Sequence, residues 1–298
     1  MQEFDQNKTR WITQKGYLQG SFWTILCCLT SNLNDILMKS TGYHLPPFQI
    51  VFFRSLFGLI FISPLIFSKV SSLKTQNIKI HFNRIILGVT AITLSCYATT
   101  LFSLPEVTVL SFSQPLFFLP MAVLLLKEKL TYQRLLTNIL GFIGIVIVLN
   151  PEKKDFFSFI TLVPLASAFL FTYLDIINKK LLILEKPYTL LFYFNLGTTI
   201  LTGFMSIFTW VTPNFHDLFL LFLLGASATF IQVFSFMSLS ATTILSLAPL
   251  RYSELIFSCF FSILIFNEHP TSNVLFGSIL VIGGVLYATY NEALKKRS

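Results

Sequence analysis

Five side chains that carry charge in water stand inside otherwise apolar stretches of this sequence: Asp35, Arg54, Asp175, Arg251 and Glu254. On insertion scales each costs about 2.5 to 3.5 kcal/mol at the centre of a membrane helix and less toward its ends, so each needs a partner or a wet cavity. Asp35 precedes Lys39, and Asp175 precedes Lys179, by four residues. That spacing puts both members of a pair on one helix face. Two readings stand side by side: a helix-end ion pair with a snorkelling lysine, or two gate contacts that each close one side of a membrane. Arg54 lies one short hairpin from Asp35, and either pairs with it or meets a ligand directly.

The run Ser246–Ser258, SLAPLRYSELIFS, carries Arg251 and Glu254 three residues apart beside Pro249. A proline removes one backbone donor and loosens the preceding turn, which would free carbonyls near Leu245 and Ser246 for a ligand. The pair is either a self-satisfied ion bridge or a dipolar clamp, the guanidinium fork for a carboxylate and Glu254 for a cation. Three carboxylates against two arginines leave the intramembrane set at minus one, a match for a ligand of net positive charge. Polar side chains at membrane depth, Asn34, Ser111, Gln114, Asn195 and Gln232, either join helices or read a ligand edge. Tyr97, Tyr173, Tyr193 and Tyr252 are the in-span tyrosines that could offer aromatic faces to a cation.

The elements that must hold these residues follow from composition. Hydrophobic residues make up 54% of the 298 and charged ones 11%, far from the quarter or so of charged residues in soluble domains. Mean hydropathy is +0.73. Windows of about 20 apolar residues recur ten times, at 17–38, 48–67, 82–104, 107–126, 132–149, 156–178, 189–210, 215–239, 243–266 and 273–290. Connections between them are short, so the chain reads as one all-α membrane bundle with no extramembrane domain. The first window follows a basic N-terminus without a small-residue cleavage site and reads as a retained helix. Counting Lys and Arg in alternate connections gives sixteen on the side holding both termini and three on the other, which puts the termini in the cytoplasm. The same count accounts for the net charge of +8 without invoking nucleic acid.

The chain repeats itself. DILMK (Asp35–Lys39) matches DIINK (Asp175–Lys179) at an offset of 140, and at that offset Pro47 meets Pro187, Glu128 meets Glu268, Thr131 meets Thr271 and Gly144 meets Gly284. Residues 1–150 and 151–298 are therefore two five-helix units. An odd number of spans per unit makes this a 5+5 inverted repeat, the architecture of alternating-access transporters. At the same offset Gln114 takes the place of Glu254.

Two such halves, each closing its fourth span with an acidic turn (KEKLT, Lys127–Thr131; NEHPT, Asn267–Thr271) before a glycine-containing fifth span (GFIGIVIVL, Gly141–Leu149), resemble the drug/metabolite transporter superfamily in its EamA-type, ten-helix form. Within it, FTYLDIINKK (Phe171–Lys180), APLRYSEL (Ala248–Leu255) and FNEHP (Phe266–Pro270) are most similar to the S-adenosylmethionine transporters of obligate intracellular bacteria. Leu255 stands where the superfamily pattern has a proline about thirteen residues before the second acidic turn, a departure that marks the subgroup. The resemblance implies a bacterial inner-membrane protein with a central cavity lined mainly by spans 1, 3, 4, 6, 8 and 9. It also implies import of S-adenosylmethionine in exchange for S-adenosylhomocysteine. That substrate carries a sulfonium, an ammonium and a carboxylate; Arg251 would suit the carboxylate and Glu254 a cationic group, with Tyr252, Gln114, Tyr97, Asn34, Tyr173, Gln232, Ser111 and Tyr193 around them.

Rival classes lack machinery. His44, His81, His216 and His269 fall in connections or at span entrances without metal or haem spacing, and no GxSxG, HExxH or phosphate-cradling glycine loop occurs. Cys27, Cys28, Cys96 and Cys259 lie inside spans and read as small apolar residues. The sequence thus points to a transporter without metal or cofactor rather than an enzyme or a receptor. The alternative within transport is a proton-coupled exporter of amino acids or cationic small molecules. Such a carrier would use a lone carboxylate of raised pKa, whereas each carboxylate here has a candidate cation nearby. The charge count predicts that cysteine labelling finds residues 70–80 and the C-terminus in the cytoplasm and residues 151–156 outside; an external C-terminus contradicts both helix count and repeat.

Overall fold

The computed structural model describes residues 15–42, 44–67, 73–102, 113–127, 159–242 and 253–266, with isolated positions between and after them. Among these residues there are eight α-helices: α1 (Lys15–Gly42), α2 (Pro47–Phe67), α3 (Ile78–Leu101), α4 (Gln114–Leu126), α5 (Leu162–Leu184), α6 (Pro187–Ser206), α7 (Phe215–Ala241) and α8 (Ser253–Phe266). Five helical stretches, within α2, α3, α5, α7 and α6 with the 3₁₀ turn that extends it, are long and apolar enough to cross a bilayer. Predicted spans 5 and 10 fall largely outside the described residues.

Helix boundaries follow local chemistry. Pro47 and Pro187 begin α2 and α6, 140 residues apart, where the missing N–H costs nothing and the ring pre-sets φ. Lys186, before Pro187, is extended at φ −78°, ψ 148°, as a residue preceding proline should be. At the start of α7, Asn214 accepts from the Asp217 backbone N–H while the Asp217 carboxylate accepts from the Asn214 N–H, a reciprocal cap. Ends correspond at the same spacing: α3 stops at Leu101 and α7 at Ala241, α4 at Leu126 and α8 at Phe266.

Two boundaries differ from the hydropathy reading, and both move charges deeper. The predicted sixth span stops at Asn178 because two lysines follow, yet α5 runs on to Leu184. Lys179 does not end the helix because its ammonium donates to the carbonyls of Leu239 and, at 2.7 Å, Thr242 at the end of α7. Similarly, α1 continues past Lys39 to Gly42. Asp35 and Asp175 therefore lie about two turns inside their helices, not within the last turn.

Packing sets the direction of each helix. Gly42 at the end of α1 faces Thr100 near the end of α3, while Glu185, just after α5, meets Thr75 and Asn77 just before α3. Hence α1 and α5 run in opposite directions along α3. One core cluster joins Met38, Leu45, Ile50, Phe53, Cys96, Leu221 and Leu224; a second joins Ile62, Ile177, Leu181, Leu190, Leu191 and Phe236. Large apolar side chains such as Phe215 (89% exposed), Ile183 and Leu124 point outward, as suits a protein whose solvent is lipid.

The closest helix approach is between α2 and α7. A Cβ on Gly225 would lie 2.4 Å from the Phe57 Cβ, 3.0 Å from the Gly58 nitrogen and 3.1 Å from the Arg54 carbonyl oxygen. Small residues at crossings of this kind let backbones touch where lipid supplies no hydrophobic drive. Gly225→Ala must push two backbones apart and, at about 1–3 kcal/mol for overpacking, should lower the thermal midpoint of the purified protein in detergent by several degrees. An unchanged midpoint would mean that the two helices are not locked at this distance.

Candidate functional site

The charged residues converge on one cavity. Its volume is about 170 Å³, and its walls come from α1, α2, α3, α5 and α7 together with residues 111, 114, 251 and 254. On α1 the lining runs Thr24, Cys27, Cys28, Ser31, Asn34, Asp35 and Met38, a stripe at steps of three and four that keeps one helix face toward the cavity. On α7 it runs Ile231, Ser235 and Ser238, again at helical steps. Cys28 and Asn32 of α1 reach the backbone oxygens of Arg251 and Glu254, at 3.9 and 3.1 Å, and so tie α1 to the start of α8.

Arg251 is the most heavily bonded group in the wall. Its Nη2 donates to the Asp175 carboxylate at 2.7 Å, its Nη1 donates to the Gln114 side-chain oxygen at 3.0 Å, and its guanidinium lies 5.0 Å from the centre of the Phe118 ring. These contacts replace two expected pairs. Asp175 was expected to pair with Lys179, but that lysine reaches α7; Arg251 was expected to pair with Glu254, but Glu254 shares a hydrogen bond with Ser31 instead. The reason is three-dimensional: a side chain three or four residues away competes with partners on neighbouring helices, and here the neighbours have the better geometry.

Arg54 behaves differently. It lines the cavity, is only 9% exposed and lies in electrostatic range of Asp35. Among the described residues no hydrogen bond reaches its Nε. The expected Asp35–Arg54 pairing is thus a proximity without a hydrogen bond. Lys39 is buried, in the last turn of α1.

Of the other expected residues, Asn34, Ser111, Gln114 and Glu254 line the cavity, with Asn34 also donating to the Leu224 carbonyl at 3.2 Å and to Ser227 Oγ at 2.7 Å. Tyr97, Tyr173, Tyr193 and Gln232 do not. Tyr97 follows the lining residue Ser95 by two positions, about 200° around the helix, and is 47% exposed on the outer face. Tyr173 sits between the lining residues Phe171 and Asp175 by the same geometry and packs on the core cluster of Ile177 and Leu181. Tyr193 belongs to α6, which contributes nothing to the wall, and its ring lies 4.8 Å from that of His81. Gln232 is one residue, about 100°, off the α7 lining stripe. Asn195 is buried on α6 and donates to the Leu191 carbonyl at 3.1 Å. Tyr252 and Pro249, with the carbonyls of Leu245 and Ser246, lie outside the described residues. Composition alone missed Thr24, Ser31, Ser95, Ser235 and Ser238; the α1 and α7 stripes were the signal that could have found them.

Contacts at the two ends seal the bundle. At one end Glu185 accepts hydrogen bonds from Thr75, from Asn77 at 2.9 Å and from His81 at 2.8 Å. Arg84 lies buried one turn beyond, donating to the Leu190 carbonyl at 3.0 Å and resting against the Phe194 ring. At the opposite end Gln49 donates to the Val211 carbonyl and accepts from the Val211 N–H at 3.0 Å. Each tie joins the turn between two helices of one half to the connection between two helices of the other.

Lipid-facing helices around a charged cavity sealed at both ends by polar ties are the construction of a membrane transporter. Residues 18–150 match the EamA-like transporter family. The S-adenosylmethionine uptake transporters of Rickettsia prowazekii (strain Madrid E) and Rickettsia felis (strain ATCC VR-1525 / URRWXCal2) are each 36% identical over 93% of this chain and 95% of their own. A riboflavin transporter of Brucella anthropi is 28% identical over 87% of this chain. A protein crystal structure 19% identical in sequence has a TM-score of 0.74, covering 94% of this chain and 98% of its own, a likeness of fold alone. The chain belongs to the EamA-like transporter family, and it is a multi-pass membrane transporter rather than an enzyme.

The tie at Glu185 titrates. Burial by itself would raise its pKa, but the hydrogen bonds from Thr75, Asn77 and His81 outweigh burial and hold the carboxyl below its ordinary value. A carboxylate of lowered pKa adds stability above its unfolded pKa, about 4.3, and loses it as pH falls through the lower folded value. Thermal midpoints measured from pH 7 down to pH 3 should therefore fall less steeply for Glu185→Gln than for the parent. Parallel curves would mean that the tie adds no pH-dependent stability.

Proposed function

We propose that this transporter imports S-adenosylmethionine across the bacterial inner membrane, in exchange for S-adenosylhomocysteine, by alternating access to the central cavity. The single observation that carries the reading is the cavity wall: three carboxylates, two guanidiniums and a row of small polar side chains at one site between helices of both halves. That set suits a ligand bearing two cationic groups and one carboxylate. The 36% identity to the Rickettsia uptake transporters over nearly the full chain supports the same substrate.

Ten spans in two inverted five-helix units, residues 1–150 and 151–298, would supply the motion. Support comes from the helix ends that correspond 140 residues apart and from the opposed directions of α1 and α5. With both termini cytoplasmic, as the charge asymmetry requires, the Glu185 and Lys179 contacts form the inner closure and the Gln49–Val211 contact the outer one. Asp35 with Lys39 and Asp175 with Lys179 then act within the moving ends. Substrate meets Asn34, Ser111, Gln114 and Glu254, with Arg251 beside them and Tyr252 completing the wall. Every carboxylate of the cavity stands near a cation or a hydroxyl, which favours exchange of one charged ligand for another over a proton cycle.

Proteoliposomes preloaded with S-adenosylhomocysteine should take up labelled S-adenosylmethionine faster than empty ones, and a protonophore should leave that uptake largely intact. Uptake driven by an imposed pH gradient and indifferent to preloading would overturn the exchange reading in favour of proton coupling.

A further inference from the structure

The charged residues of the cavity are not equally occupied. Arg251 bridges Asp175 and Gln114 with its two terminal nitrogens. At the 140-residue spacing, Asp175 corresponds to Asp35, Gln114 to Glu254 and Arg251 to Ser111. All six residues line the cavity. In one half, then, a guanidinium joins an aspartate to an amide. In the other, an aspartate and a glutamate share electrostatic reach, and the position that corresponds to the arginine holds only a serine hydroxyl.

Beside this carboxylate pair lies Arg54, nine-tenths buried, facing the cavity, with its Nε unbonded and no hydrogen bond to any other described residue. A buried guanidinium without hydrogen bonds carries the desolvation cost of its charge with little return, so an anion arriving there recovers more than one arriving at the occupied Arg251. Asp35 interacts electrostatically with both Glu254 and Arg54, so anion seat and cation seat are adjacent. Adjacent opposite charges are the signature of an α-amino-acid head, whose ammonium and carboxylate hang from one carbon.

We propose that Arg54, Asp35 and Glu254 seat the α-amino-acid head of the substrate. Arg54 takes the carboxylate, and the Asp35–Glu254 pair, with Ser111, takes the ammonium in the place that Arg251 fills in the other half. Arg251 is then a positioning residue that holds α5, Gln114 and the start of α8 together. The assignment rests on the cavity being the substrate site. It also accounts for two ligands being exchanged at one site, because S-adenosylmethionine and S-adenosylhomocysteine share this head and differ at sulfur.

Equilibrium binding to the purified full-length protein tests the seat, with S-adenosylmethionine and its decarboxylated analogue as probes. The parent should prefer the carboxylate-bearing ligand at least tenfold. Arg54→Gln should reduce that preference to less than twofold, and Arg54→Lys, which keeps the charge but loses the planar fork, should fall between. Arg251→Lys should weaken both ligands alike and leave the preference standing. A parent that folds and binds neither ligand overturns the proposed substrate and the seat with it. A parent that binds, with a preference that survives Arg54→Gln or vanishes in Arg251→Lys, overturns the seat alone.

Should the Arg54 variants not fold, Ser111→Arg supplies the missing guanidinium of the second half. It should melt higher than Ser111→Met, a side chain without charge, because it pairs with Asp35 and Glu254. Equal or lower melting of Ser111→Arg overturns the cation seat.

Discussion

A guanidinium in a medium without water must find its acceptors inside the protein, and Arg251 finds them on two other parts of the chain. Its bonds to Asp175 and Gln114 join α5, the start of α4 and the segment leading into α8 at one point. Neither side chain is near Arg251 in sequence, so the bond exists only once the helices have packed. Removing one partner of such a pair leaves an uncompensated buried charge, which costs about 3–5 kcal/mol. The rest of the wall obeys the same rule on a smaller scale. Asn32 and Asn34 of α1, and Ser167 of α5, each spend a donor on a backbone carbonyl of another helix or segment.

Closure at the ends is built from several modest contacts. Hydrogen bonds between membrane helices average about 0.6 kcal/mol, because the separated helices also find partners. A seal made of Glu185 with three donors, or of one glutamine side chain on one backbone unit, can therefore open at a cost that a bound substrate can offset. Lys179 adds an ammonium at the C-terminal end of α7, where the helix dipole favours positive charge. A carrier that turns over needs seals of this graded kind more than it needs a single strong lock.

Similar backbones in the two halves carry dissimilar chemistry. Helix ends agree at a spacing of 140 residues, yet the cavity has arginine against serine and glutamine against glutamate at corresponding positions. A symmetric ligand set would present the same field from both halves and could not orient a zwitterion. Unequal occupation of Arg54 and Arg251 gives the cavity one satisfied pole and one receptive pole.

Hydropathy determined that the chain is a membrane helix bundle, and the offset of DILMK to DIINK located the two residues, Asp35 and Asp175, that line the cavity from corresponding helices. Both follow from composition and spacing, which survive without any knowledge of contacts. The cavity-facing stripe of α1, from Thr24 to Met38, was also written in the sequence at helical steps, though its serines and cysteines did not announce themselves against an apolar background. Tertiary structure alone decided which charge meets which. Local spacing offered Lys179 to Asp175 and Glu254 to Arg251, but a long side chain reaches neighbouring helices as easily as its own next turn. Likewise Tyr97 and Ser95 are two residues apart and face opposite ways, because the direction of a helix face is fixed by what packs against it.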